Sequence, residues 1–158
     1  MKIIVSATLK ILKIGGWLPL TVFSTHVFLS RVIHLYDIFP PMDIPMHFAG
    51  GLAIAFFISK CFQILPRDYI KKSRVSLLEI VLIGSLTAST AVFWEFAEFT
   101  FDQFFGTNIQ ISLANTIQDL VMGIFGALII ILIRSRQLNI GIGEVREITF
   151  EWIDGKPA

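Results

Sequence analysis

Residues 43–65 read DIPMHFAGGLAIAFFISKCFQIL, an almost uninterrupted apolar stretch. The hydrocarbon core of a bilayer is about 30 Å thick and takes roughly 20 helical residues, so a stretch of this length predicts a membrane-spanning helix. Pro45 falls in the first turn, where its missing N–H costs little, so the helix is expected to begin near Asp43. His47 lies one turn further along. A membrane helix that begins with two titratable side chains is expected to turn them toward protein rather than lipid.

Three further apolar stretches are long enough to cross a bilayer, at residues 17–36, 75–104 and 112–133. The 158-residue chain is 54% hydrophobic and only 16% charged, and its mean hydropathy is +0.74. A soluble domain of this length is far more polar. We therefore predict an all-α fold, an integral membrane four-helix bundle over residues 1–134, followed by a short cytoplasmic tail over residues 135–158.

The basic residues predict the orientation of these spans, because cytoplasmic loops carry an excess of lysine and arginine. They flank the start of the first span, the second loop and the end of the fourth span, whereas the opposite side keeps only Arg31. Both termini are therefore expected in the cytoplasm, with loops 36–43 and 104–112 outside. In the tail, apolar and polar residues alternate at 148–152, which predicts a short strand.

Polar side chains recur at one predicted depth in three of the spans. From the second span to the fourth they are Asp43, His47, Glu95, Glu98, Asp102, Asn115 and Asp119. At 1.5 Å per residue, even the innermost lies only about 13 Å from the outer end of its span. At about 100° per residue, the members on each helix also fall within an arc of roughly 60°. Three helices with polar faces at the same depth predict that those faces meet in the outer half of the membrane.

One imidazole and several carboxylates form a ligand set for a divalent metal, and this set suits Zn, Mn, Mg or Fe. The predicted ligands are the four residues that lie a turn or more inside the membrane: His47, Glu95, Glu98 and Asp119. Two of them, Glu98 and Asp119, are also the predicted catalytic residues, one acting as a general base on water. The spacing permits such a centre without being diagnostic of it, since no complete Glu-x-x-His pattern is present.

Four further residues are predicted to support this centre: Asp43, Asp102, Asn115 and Arg31. Each also has a structural interpretation. The two aspartates fit ordinary helix ends, the asparagine fits a hydrogen bond between helices, and the arginine fits a counter-charge. Without metal, the whole set predicts either a proton relay, because crowded carboxylates and a histidine exchange protons near neutral pH, or an ion-pair network that fixes helix register.

Three short segments carry a resemblance to known families: DIPMHFAGG at 43–51, WEFAE at 94–98, and NTIQD at 115–119 with Gly123 after it. Their order and spacing resemble the YjdF-like family of small bacterial inner-membrane proteins and, more distantly, the VanZ-like proteins. The resemblance covers residues 37–130 and implies a multi-pass protein of the bacterial inner membrane. It implies no activity for the YjdF-like proteins, whereas the VanZ-like proteins are associated with glycopeptide resistance and have glutamine where this chain has Glu98.

Three functions fit these observations. The first is a metal-dependent enzyme acting on a lipid-linked or amphipathic substrate near the outer leaflet. The second is a component of a proton-coupled transporter, which with only four spans would require a homo-oligomer. The third is a membrane scaffold without catalytic activity. The expected partners are the lipid bilayer, a lipid-linked substrate and other copies of the chain, while a net charge of +1 without a basic stripe argues against nucleic acid.

Overall fold

A computed structural model describes residues 2–64 and 76–137. Over these ranges the chain is helical, without a strand. The helices are α1 Lys2–Gly15, α2 Trp17–Arg31, α3 Leu35–Ile38, α4 Asp43–Ile64, α5 Leu77–Phe105 and α6 Leu113–Ser135, with a 3-10 turn at Pro40–Met42 before α4. The predicted strand at 148–152 lies outside the described residues, as does the second loop at 65–75.

Three segments are long and apolar enough to cross a membrane: Pro40–Ile64, α5 and α6. There are four crossings if α1 and α2 count as one, because Thr8–Gly15 and Trp17–Arg31 together meet the same criteria with a bend of 56° between them. The protein is therefore an all-helical, multi-pass membrane protein with three to four candidate crossings.

The predicted first span differs from the helix that forms. α2 ends at Arg31 after 15 residues, which is about 22 Å and shorter than a bilayer core. The N–H groups of Val32 and Ile33 both bond to the carbonyl of Phe28, and His34 has a left-handed backbone with φ 56°. Because non-glycine residues rarely adopt that conformation inside a helix, the chain breaks here and residues 35–38 form the separate turn α3.

Serine caps set the starts of the two long helices that follow. The Ser76 hydroxyl accepts from the N–H of Glu79 at 3.2 Å, and the Ser112 hydroxyl accepts from the N–H of Asn115 at 3.2 Å. Each satisfies one of the free N–H groups of a helix start. α5 ends where Gly106 takes a left-handed φ of 63°, a conformation that glycine adopts without strain.

α4 and α6 pack backbone to backbone. An ideal Cβ at Gly51 would lie 1.8 Å from the carbonyl oxygen of Gly123, and one at Gly126 would lie 2.0 Å from that of Phe48. These glycines therefore allow an approach that any side chain would prevent, as in other membrane helix pairs with small residues at the interface. α5 packs against the same pair, so the three helices enclose the small core around Ala55 and Ala127.

One ion pair joins α5 and α6 at the end opposite the polar side chains. The Arg134 guanidinium donates to the Glu79 carboxylate through Nε and Nη2, and both side chains are largely buried. Most large apolar side chains on the outside, such as Phe93, Phe96 and Leu132, are well exposed. This apolar surface suits contact with lipid chains.

Candidate functional site

The polar faces of α4, α5 and α6 meet around the imidazole of His47. Its Nε2 lies 3.3 Å from Asp43 Oδ1, one turn earlier on α4, and its Nδ1 lies 3.8 Å from Glu95 Oε1 on α5. The His47 side chain is 10% exposed and that of Glu95 is 5% exposed. The ring therefore presents its two nitrogens to two different carboxylates, away from the lipid-facing surface.

Two groups of side chains around His47 have ligand atoms within 4.8 Å of one another. One group is His47, Glu95 and Glu98; the other is Asp43, His47 and Asp119. The structure thus brings together all four residues that the sequence predicts as ligands, along with Asp43. They divide into two sets that share the imidazole.

Two carboxylate oxygens in these groups have no hydrogen-bond partner among the described residues: Glu95 Oε1 and Asp119 Oδ1. Their residues are only 4% and 2% exposed. A buried carboxylate oxygen without a partner is costly, because neither water nor a donor replaces its hydration. Each oxygen belongs to one of the two groups that share this imidazole, so a cation bound in that group would remove its cost.

The other carboxylate oxygens are held by donors from nearby. Gln110 Nε2 donates to Glu95 Oε2 at 3.1 Å and to the Glu95 carbonyl at 3.0 Å. Asn115 Nδ2 donates to Asp119 Oδ2 at 2.8 Å, within α6. Each of the two carboxylates is therefore oriented by one oxygen while its second oxygen stays free, which is how protein ligands are commonly positioned.

Glu98 is held by the indole of Trp94, whose Nε1 donates to Glu98 Oε1 at 2.7 Å. The sequence analysis missed both Trp94 and Gln110 as parts of the site. The indole lies one turn before Glu98 on the same face of α5, so the spacing alone would have indicated it. No sequence signal identifies Gln110, because its contact depends on how the loop between α5 and α6 folds back.

Negative charge at this centre lacks a basic counterpart. Four carboxylates surround one imidazole, and no lysine or arginine in residues 8–64 and 76–137 forms an ion pair with any of them. Arg31, the predicted counter-charge, is exposed and its guanidinium carbon lies 5.3 Å from the centre of the Phe101 ring. Bound cations or protons are therefore needed to balance the group.

Asp102, another predicted supporting residue, organises the loop between α5 and α6 instead of joining either group. Its carboxylate accepts from the hydroxyl of Thr107 at 2.6 Å and from the N–H groups of Ile109 at 2.8 Å and Gln110 at 2.9 Å. These contacts fold residues 106–111 back over the end of α5. They also place the Gln110 side chain beside Glu95, so Asp102 affects the centre indirectly, through Gln110.

Replacing Asp102 with alanine is expected to release this loop while leaving the helices intact. Three hydrogen bonds to one carboxylate are lost, and charged hydrogen bonds each contribute about 1.5–3 kcal/mol. We expect amide hydrogen exchange at Ile109 and Gln110 to accelerate by about tenfold or more. Exposed Asp37 provides the matched control as Asp37→Ala. Unchanged exchange at both amides in the Asp102 variant would contradict this role.

A second imidazole lies close to the centre. His26 on α2 has its Nδ1 3.0 Å from the Tyr36 hydroxyl, and its ring contacts the Trp94 ring edge-on with centroids 5.5 Å apart. Partial burial raises the pKa of Tyr36 to about 12, so the phenol stays protonated at neutral pH. These contacts connect Tyr36 on α3, His26 on α2 and the Trp94 indole, which donates a hydrogen bond to Glu98.

Comparison with known families gives one match. The model of the family described as "Predicted membrane protein (DUF2238)" matches residues 3–139, which is most of the chain. No curated protein and no solved structure matches. The match supports the expectation of an uncharacterised membrane family, and it carries neither the YjdF-like nor the VanZ-like name.

Proposed function

Because the chain belongs to the DUF2238 family of predicted membrane proteins, whose description assigns no activity, we propose a function from the polar centre itself. The protein is a membrane-embedded, metal-dependent enzyme that acts on a lipid-linked or amphipathic substrate. The observation that carries the proposal is the pair of buried, unpartnered oxygens on Glu95 and Asp119 beside His47. Each of the two ligand groups that share His47 therefore contains one buried carboxylate with an unpartnered oxygen, which suits a metal site and which a purely structural network avoids.

The spacing at His47 supports a cation on the Glu95 side of the ring. Nδ1 and Glu95 Oε1 are 3.8 Å apart, which is too long for a hydrogen bond. An ion about 2.1 Å from each of two ligand atoms fits between atoms separated by up to roughly 4 Å. Glu98 completes this set from the next turn of α5. We therefore assign His47, Glu95 and Glu98 as the primary ligands.

Asp43 supports this assignment from the other side of the imidazole. Its 3.3 Å separation from Nε2 suits acceptance of the Nε2–H proton, which leaves Nδ1 free to ligate. A carboxylate on the second nitrogen of a ligating histidine is a recurring arrangement that fixes the tautomer and the orientation of the ring. The donor set of one nitrogen and several carboxylate oxygens suits Zn, Mn, Mg or Fe.

Asp119 takes the role of general base in this proposal, with Glu98 as the second candidate. Asp119 Oδ1 has no partner, and it lies in the group that also contains Asp43 and His47. It can therefore accept a proton from water without first breaking a hydrogen bond. A divalent cation supplies polarisation of a carbonyl or phosphoryl oxygen. Asn115 keeps the Asp119 carboxylate in place.

The proposed setting is the inner membrane of a bacterium, with both termini in the cytoplasm and the centre in the outer half of the bilayer. The basic flanks of the apolar stretches support this orientation. All residues of the centre come from one chain, so the enzyme proposal does not require the predicted homo-oligomer.

A proton-coupled transporter component is the second candidate, because one observation favours it. The pair α1 and α2 is bent by 56°, and broken helices are common where transporters bind their substrates. The same His and carboxylate residues would then relay protons without metal. A scaffold whose polar centre only fixes packing is the third candidate, and the unpartnered oxygens argue against it.

Metal analysis of the purified protein tests the enzyme proposal. We expect near-stoichiometric divalent metal in the wild type and a loss of at least about tenfold in metal affinity in His47→Ala and Glu98→Gln, because each variant removes one ligand. Asp37→Asn is the matched control, since that carboxylate is 79% exposed and lies outside both groups. It should retain wild-type metal content.

The comparison requires that all variants remain folded, which gel filtration in detergent and helical circular dichroism establish. Absence of metal from folded wild type after supplementation with Zn, Mn, Mg and Fe would overturn the enzyme proposal. In that case, pH-dependent proton uptake in liposomes that disappears in His47→Ala would favour the transporter, and its absence would favour the scaffold.

A further inference from the structure

An apolar cavity of about 160 Å³ adjoins His47. It lies between α2, α4 and α5, and α6 closes part of it through Gly123. The side chains around it are mainly apolar and include Val22, Phe23, Met46 and Ile54, whereas His47 provides a polar end. A cavity with one polar end and apolar walls suits an amphipathic molecule, which has a polar head and an apolar chain.

The cavity runs along the helices, inward from the polar centre. On α4 its lining extends from Met46 to Ile54, a distance of about 12 Å at 1.5 Å per residue. α5 runs in the opposite direction, and its lining residues extend from Trp94, near the centre, to Thr87. A chain whose head reached His47 would therefore lie parallel to the helices, as lipid chains do.

The cavity also opens toward the outside of the protein. Phe23 on α2 is 50% exposed and Thr90 on α5 is exposed, yet both line it. α2 packs mainly on α4 and makes few contacts with α5. Rings of α2 and α5 meet at Trp94, which contacts Phe23 and His26 edge-on. Beyond this contact, toward Thr90, the space between α2 and α5 gives a lateral path from the lipid-facing surface, by which a lipid chain can enter without leaving the membrane.

The size of the cavity limits what it holds. An apolar cavity of about 150 Å³ accommodates a benzene ring, so the space here corresponds to a hydrocarbon segment of about six carbons. Two acyl chains do not fit in this space. A single chain fits, with the remainder of its length lying in the lateral opening.

We propose that this cavity binds the first carbons of a single hydrocarbon chain in an amphipathic substrate whose oxygen-bearing head group reaches His47 and the carboxylates. The proposal rests on the proposed function for the head group and on the cavity alone for the chain. With metal bound, the centre accepts an anionic head such as a phosphate. Without metal, the four carboxylates repel it.

Gly50 is the position from which the cavity can be filled. It lines the cavity, and an ideal Cβ there would meet no atom within 4 Å. Gly50→Leu therefore brings a side chain into the chain site from a position where its Cβ meets no other helix. Thr90→Leu narrows the opening from the other side, and its hydroxyl bonds only to the carbonyl of Leu86 in its own helix. Ser89→Leu, on an exposed position outside the lining, is the matched control.

Photolabelling in liposomes tests the site with two probes, a twelve-carbon alcohol and the corresponding alkyl phosphate, each with a diazirine on the first third of its chain. Labelled residues are mapped by mass spectrometry. We expect both probes to label lining residues of α4 and α5, such as Met46, Ile54, Thr87 and Ala91, in metal-loaded wild type and Ser89→Leu. In Gly50→Leu and Thr90→Leu, we expect labelling of those residues to fall by about tenfold, while labelling of lipid-facing Phe93 serves as the internal reference.

The two probes separate failure of this proposal from failure of the proposed function. Equal labelling of the cavity residues by the alcohol in wild type and Gly50→Leu, or no labelling there, would overturn the chain site. If the alcohol behaves as expected but phosphate labelling is the same with and without metal, the chain site stands and the metal-dependent role of the centre is wrong. Retention of metal by Gly50→Leu confirms that this variant affects the cavity alone.

Discussion

Gly51→Ala is expected to destabilise the packed helices by about 4 kcal/mol or more, an exceptionally large effect for one methyl group. The added Cβ would lie 1.8 Å from the carbonyl oxygen of Gly123 and 2.7 Å from its Cα. Both are backbone atoms, so no side-chain rotation relieves the clash. α4 and α6 would have to separate by more than 1 Å along their closest contact, and the helix pair that carries His47 and Asp119 would lose its packing.

Neighbouring Gly50 provides the control for this prediction. Its added Cβ meets nothing within 4 Å, and alanine has the higher helix propensity by about 1 kcal/mol. Gly50→Ala should therefore unfold at the wild-type temperature or slightly above it, while Gly51→Ala unfolds far earlier or fails to elute as a monodisperse species. Thermal unfolding in detergent, followed by circular dichroism and light scattering, compares the two. Equal stability of both variants would contradict the backbone-to-backbone packing of α4 and α6.

Asp119→Asn is expected to stabilise the metal-free protein and to weaken its response to metal, because it removes one of the negative charges around His47. Asp119 is 2% exposed and its Oδ1 has no partner, so the ionised carboxylate is costly in the absence of a cation. An amide of the same shape removes the charge, and we expect a gain of about 1–3 kcal/mol. Wild type should instead gain about 2.7 kcal/mol when metal is added at one hundred times its dissociation constant.

The measurement is thermal unfolding with chelator and with saturating metal, on wild type, Asp119→Asn and exposed Asp37→Asn. Wild type and the Asp37 variant should both shift upward with metal, whereas Asp119→Asn should start higher and shift by a smaller amount. A scaffold predicts the reverse order without metal, because loss of a structural hydrogen-bond network lowers stability. Lower stability of metal-free Asp119→Asn would therefore contradict a site poised for a cation.

If metal-free Asp119→Asn is more stable than wild type, the acidic centre is a site whose residues favour metal binding at the expense of stability. A protein that only needed a rigid bundle gains nothing from buried carboxylates around one histidine, since apolar side chains of the same volume pack without desolvation cost. Costly buried groups persist in proteins mostly where function requires them. The arrangement around His47 has that character, with donors on one oxygen of Glu95 and of Asp119 and none on the other.

Much of the helical fold followed from length and hydropathy. The apolar stretches that begin near Asp43, near Leu77 and near Leu113 form the helices expected of them, because a continuous apolar run of about 20 residues has no other way to satisfy its backbone in lipid. The first stretch, residues 17–36, was predicted as one helix, but the backbone stops being helical after Arg31 although apolar residues continue. Hydropathy carries no information about backbone conformation, so it does not predict a left-handed residue such as His34.

Helix rise and periodicity are properties of the local chain, so the sequence alone predicts that the polar side chains of three helices lie at one depth and on one face each. Which of their atoms meet depends on how the helices pack. The crossing angles of the helices place Glu95 Oε1 beside His47 Nδ1 and leave a cavity beside α2. The path of the loop after α5 brings Gln110 to Glu95 and makes Asp102 a hydrogen-bond acceptor for the loop. Those are relations between segments distant in the chain, and they depend on how closely glycines let the helices approach.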